Sequence, residues 1–79
     1  MEYTFIMRLN TIRKEVNHIL YQIKTSRNSF PVAYRKALAM YVTMLDGDVD
    51  DVISIHLKQK ITRDPKTGTA KMIDFEREN

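Results

Sequence analysis

The sequence predicts a mainly α fold, a small α+β domain in which a long N-terminal helix packs on a helix-turn-helix pair and a short C-terminal β-hairpin follows. Three observations predict it. Apolar residues from Phe5 to Ile23 recur at helical spacing. Ser29-Phe30-Pro31 opens a second apolar run that stops near Gly47. Asp64-Pro65-Lys66-Thr67-Gly68 is turn chemistry between two short runs.

The first helix is expected over about residues 3–26. Phe5, Leu9, Ile12, Val16, Ile19 and Ile23 step alternately by four and three, a heptad seam, with Ile6 and Leu20 on its flank. Arg8, Asn10, Arg13, Lys14, Asn17 and Lys24 occupy the other side. Such a rod would span roughly 34 Å at the helical rise. That is longer than the next helix can cover, so the seam at Phe5, Leu9, Ile12 and Val16 is the expected self-association surface.

The polar stretch from Thr25 to Ser29 ends this element, with Asn28 suited to a left-handed cap. A second helix is expected over about 31–45. Ser29 is its N-cap, Pro31 lies in its first turn, and Phe30 packs on Tyr34. Gly47 is its expected left-handed stop. Asp48 with Asp51 then reads as a capping box for a third helix over about 48–58. Ile53, Ile55 and Leu57 also alternate with Ser54 and His56, which is strand-like, and the cap decides for helix. A hairpin is expected over about 60–75, and residues 1–79 are read as one domain.

Composition narrows function by exclusion. Forty-three per cent apolar and 29% charged residues are ordinary for a folded domain. Below about 80 residues a single core rarely supplies more than roughly 3–5 kcal/mol. Cysteine is absent and there are two histidines, His18 and His56, so neither a disulfide nor an all-protein zinc site can staple the fold. Partner binding or self-association remains as the staple. No run is long and apolar enough to cross a membrane, and Met1-Glu2-Tyr3 is not a signal peptide start, so a cytoplasmic protein is expected.

No constellation reads as a site for chemistry. Asp46-Gly47-Asp48-Val49-Asp50 opens like a calcium loop, but Asp51 stands where the sharp turn needs glycine and Leu57 where the bidentate glutamate belongs. Neither histidine has a serine, cysteine or carboxylate arranged as a triad or a ligand set. Two glycines exclude a glycine-rich phosphate loop. The chain is therefore expected to be no enzyme and to need no cofactor or metal.

The charge is uneven. Up to Leu45 the chain carries +5 and from Asp46 onward −2, with +3 overall. The expected function is that of a small regulatory or inhibitory protein-interaction module. By composition alone it associates with small phage-type or mobile-element regulators. Its expected partner-binding residues are Arg8, Arg13, Lys14, Arg35 and Lys36, with Tyr21 as aromatic anchor. The alternative is a nucleic-acid-binding protein of winged-helix-like architecture. There Asp48 to Lys58 would be the recognition helix and Lys60, Arg63, Lys66 and Lys71 the wing. Its weakness is that Asp48, Asp50 and Asp51 would face the phosphates.

Overall fold

The computed structural model describes residues 1–16 and 18–76. It overturns the mainly α expectation. The chain runs β1 (Glu2–Thr11), β2 (His18–Thr25), α1 (Phe30–Met44), β3 (Val52–Arg63) and β4 (Ala70–Asp74). Single 3₁₀ turns over Lys14–Val16 and Val49–Asp51 precede β2 and β3. The four strands form one antiparallel sheet in the order β2-β1-β3-β4. The architecture is a hairpin, a crossing helix and a second hairpin, with the two first strands of the hairpins paired at the centre.

The expected helix over 3–26 is the β1–β2 hairpin. Phe5, Leu9, Ile19 and Ile23 fit a heptad, but their four-residue steps are also multiples of two. Met7 and Tyr21 fill the alternation, and Phe5, Met7, Leu9, Tyr21 and Ile23 all point into the core. Tyr3 lies opposite Thr25 and Asn10 opposite His18, with no register shift between. β-Branched residues and tyrosine or phenylalanine make up half of each strand, which suits a pleated surface. The reversal has no glycine or proline to announce it. Buried Thr11 holds it instead: its hydroxyl donates to the Val16 carbonyl at 3.1 Å and accepts from the Arg13 N–H at 3.1 Å.

The helix expected over 31–45 is α1. Ser29 Oγ accepts from the Val32 N–H at 3.3 Å, and the rings of Phe30 and Tyr34 lie 6.0 Å apart. Ala33, Ala37 and Tyr41 form its buried stripe. It packs on β1 and β2, and two alanines let it approach closely. Its stop differs from the expectation. Asp46 takes the left-handed conformation, with φ +50°. Gly47 is needed for space, because a Cβ there would lie 2.3 Å from the Tyr41 ring. Tyr41 in turn donates to Asp51 Oδ2 at 3.0 Å.

The helix expected over 48–58 is a second correction. The Asp48–Asp51 capping box forms: Asp48 Oδ1 accepts from the Asp50 N–H at 2.9 Å, and Asp51 Oδ2 accepts from the Asp48 N–H at 3.2 Å. It caps only the 3₁₀ turn, and β3 begins at Val52. A cap satisfies orphan donors of any first turn and does not fix how far the helix runs. With neither that helix nor a helical N-terminus, the helix-turn-helix pair and its recognition helix do not exist. The expected hairpin over 60–75 is present as the β3–β4 pair. Asp64 N–H bonds to the Thr69 carbonyl at 2.9 Å, and Gly68 has φ +72°.

The fold is two layers deep. Its shortest extent is 18 Å, enough for one sheet and one helix. The helix covers one face of the β2-β1 half, and among the described residues no helix or strand covers the other face of the sheet.

Candidate functional site: the open face of the sheet

Strand alternation and register decide what stands on that open face. From one end to the other, Glu2 pairs with Arg63, then Thr4 with Lys24 and Ile61, Ile6 with Gln22 and Gln59, Arg8 with Leu20 and His56, and Asn10 with His18 and Ser54. From β4, Met72 and Asp74 join them. At about 6.6–6.8 Å per pair of residues the face is roughly 27 Å long.

A polar row closes one end. His18 Nδ1 lies 2.8 Å from Asn10 Oδ1, Asn10 Nδ2 donates to Ser54 Oγ at 3.0 Å, and His56 Nε2 lies 3.0 Å from Ser54 Oγ. With the Asn10 amide so placed, His18 donates through Nδ1. Ser54 accepts from Asn10, and its hydroxyl can also pair with His56 Nε2, the direction of that bond following the His56 tautomer. The row ties three strands together. It also contains a serine hydroxyl against an imidazole, but His56 Nδ1 has no partner among the described residues to orient the ring. Among those residues no three metal-ligating side chains come together.

Apolar residues run diagonally across the face, between the polar side chains of Gln22, Gln59 and Arg8. Leu20 and Met72 are 54% and 61% exposed, and Ile6 and Ile61 are half-buried between them. Two ion pairs cross the face: Arg8 to Glu76 at 2.7 Å and Arg63 to Glu2 at 3.6 Å. A hollow of about 600 Å³ lies at the end opposite the histidines, lined by Thr4, Gln22, Lys24, Ile61 and Arg63 among others. Arg8, Lys24 and Arg63 are matched by Glu2, Asp74 and Glu76, so the face is near neutral. None of the strand residues on it is Phe, Tyr or Trp.

The structure scatters the residues expected to bind a partner. Arg8 is on the open face. Arg13 is in the β1–β2 connection, where it donates to Glu15 Oε1 at 3.2 Å and to the Leu45 carbonyl at 3.3 Å, with exposed Lys14 beside it. The Glu15 carboxyl is held below its ordinary range by a backbone N–H and by Arg13. Arg35 and Lys36 are exposed on α1. Tyr21 is buried under the helix. Its hydroxyl has no partner among the described residues, and burial, with Tyr41 nearby, raises its pKa. Of the expected self-association seam, Phe5 and Leu9 are enclosed in the chain's own core, Val16 is half-buried against it, and Ile12 stands 65% exposed in the connection.

Sequence reasoning missed Asn10, His18, Ser54 and His56 as a group, and Leu20, Ile61 and Met72 as one patch. One signal was available: Ser54 and His56 are two apart, so reading 52–58 as a strand puts them on the same face. The cross-strand partners could not be read without the register. No protein-family model, curated protein or solved structure matches the chain.

Proposed function

We propose that this chain is a small non-enzymatic protein-interaction module, a regulator or inhibitor, and that the open sheet face is where it engages a protein. The observation that supports this is the make-up of that face. Exposed Leu20 and Met72 offer apolar area, while the cations beside them already have acidic neighbours. A protein surface accepts such a mixed, charge-balanced patch, since interfaces combine an apolar core with a polar rim. Nucleic acid asks for unneutralised cations, and single strands for aromatic stacking platforms as well. Of the first kind the face offers Lys24, which forms no ion pair among the described residues, and its ring side chains are the small imidazoles of His18 and His56, with no Phe, Tyr or Trp on its strands.

A photo-crosslinking residue placed at Leu20 or Met72 in cells of the native host tests the reading. The expected outcome is a discrete protein adduct at both positions and none at Tyr34, exposed on α1. Loss of the Met72 adduct on adding Leu20→Asp would tie both to one interface. Adducts that vanish on nuclease treatment, or equal labelling at Tyr34, would overturn it.

One observation favours nucleic acid as a second reading, without any recognition helix. Lys24, Arg27, Lys60, Arg63, Lys66 and Lys71, drawn from both halves of the sequence, lie toward the end of the sheet that holds the hollow. Affinity for random duplex that falls with a log–log salt slope of about −0.9 per phosphate contact would support it.

A further inference from the structure

Among the described residues three sheet edges are free of strand partners, and they differ in how they are defended. β4 is five residues long. The half of β3 that β4 does not reach carries extra residues at Ile53 and Lys58, where its register against β1 shifts. Short edges, bulges and edge lysines are the usual devices against strand addition, and of these the outer edge of β2 carries only Lys24. Its eight residues pair with β1 without a shift, contain no proline, and leave every second set of backbone N–H and C=O groups pointing away from the sheet.

Beside that edge runs a groove of about 330 Å³, between Gln22, Ile23 and Lys24 of β2 and one side of α1. Lys36, Ala39, Met40 and Thr43 line the helix side, at the three- and four-residue steps of one helical stripe. The Thr43 hydroxyl donates to the Ala39 carbonyl at 2.8 Å, so its hydrogen is spent within the helix. The groove wall is thus small and mostly apolar, and the strand edge opposite it is hungry for hydrogen bonds. Lys24 and Lys36 form no ion pair among the described residues, and no acidic side chain lines the groove.

We infer that the β2 edge takes an extended, acidic segment of a partner protein as a fifth strand, lying between β2 and α1. Main-chain bonds to β2 supply the affinity common to strand addition, and side-chain pockets supply its selectivity. Small side chains on the helix side of the segment face Ala39 and Met40, a carboxylate on that side meets Lys36, and one on the alternate side meets Lys24, which stands on the open face. A second copy of this chain is a poorer occupant. Its own β2 holds no acidic residue, so pairing edge to edge would leave both lysines unmatched. This inference rests on the reading as a protein-binding module and assigns it a site at the β2 edge, beside the open face.

Selection of displayed random octapeptides on the purified protein tests it. Selected peptides are expected to carry at least one Asp or Glu, to alternate in small apolar residues, and to slow amide exchange in His18–Thr25. Lys36→Glu and Ala39→Trp, both at exposed helix positions, should each weaken them tenfold or more, and Arg35→Glu, which does not line the groove, less than twofold. Peptides without acidic residues, protection that falls outside β2, no selected peptides at all, or a dimer whose protected amides are those of β2 would each overturn the inference. The two proposals fail separately. Adducts at Leu20 and Met72 with no β2-directed peptide leave the module standing and remove the groove.

Discussion

The two hairpins differ in a way that inverts what their sequences advertise. The β3–β4 hairpin has an Asp-Pro start and a glycine at φ +72°, and its turn could be read directly. It pairs over five positions and contributes no fully buried side chain. The β1–β2 hairpin turns without glycine or proline, pairs over eight positions, and supplies every buried apolar residue that does not come from α1. Turn residues report local backbone geometry, whereas a core is a tertiary fact. A strong turn signal therefore says little about how much stability the hairpin around it carries.

The largest expected effect separates the two directly. Leu9, fully buried in β1, should lose about 2–5 kcal/mol on Leu9→Ala, through lost transfer energy and the cavity left behind. Met72 in β4 is 61% exposed, and Met72→Ala should stay within about 0.5 kcal/mol. Urea unfolding midpoints measure both. Equal losses would mean that β4 belongs to the core and that the contrast between the hairpins is false.

The same contrast explains what could be read in the sequence. Helix α1 was legible because Ser29, Phe30 and Pro31 act through contacts within one turn. The Asp48–Asp51 box was legible for the same reason, but it governs one turn and is silent on Val52 onward. Residues 3–26 were misread because positions 5, 9, 19 and 23 satisfy a helical and a strand period alike. Only Ile12 and Val16 break the tie, and both sit in the connection, outside either strand. The open face was illegible in a stronger sense. Asn10 meets Ser54 across 44 positions, a pairing set by the β1–β3 register and not by any local pattern.

The two glycines sharpen the comparison at the next level of effect. Gly47 stands where the Tyr41 ring fills the space of a side chain, so Gly47→Ala should cost about 1–3 kcal/mol by overpacking. Gly68 has open space around it but a left-handed backbone, so Gly68→Ala should cost about 1–2 kcal/mol through backbone strain. The alanine costs overlap, and asparagine tells them apart. Asparagine tolerates the left-handed region, so Gly68→Asn should recover most of the loss, while Gly47→Asn should be at least as harmful as alanine. Thermal melts of the four variants are sufficient. Recovery at position 47 would show that backbone conformation, and not Tyr41, demands its glycine.

The smallest effect probes a flaw in the core-forming hairpin. Tyr21 is buried on β2 with its hydroxyl unpartnered among the described residues, and a buried polar group left so costs stability. Tyr21→Phe keeps the ring and should raise stability by up to about 1 kcal/mol near neutral pH. Its pH dependence is more telling. Burial raises the phenol's pKa in the folded state, so folding favours the protonated form. The raised pKa costs nothing below the ordinary tyrosine value near 10, and the stability linked to it is lost as pH climbs above that value. The wild-type chain should therefore weaken more steeply than the Phe variant above about pH 10, with their difference widening upward. Parallel curves would mean that the Tyr21 hydroxyl reaches solvent, and that β2 under the helix is looser than its close packing implies.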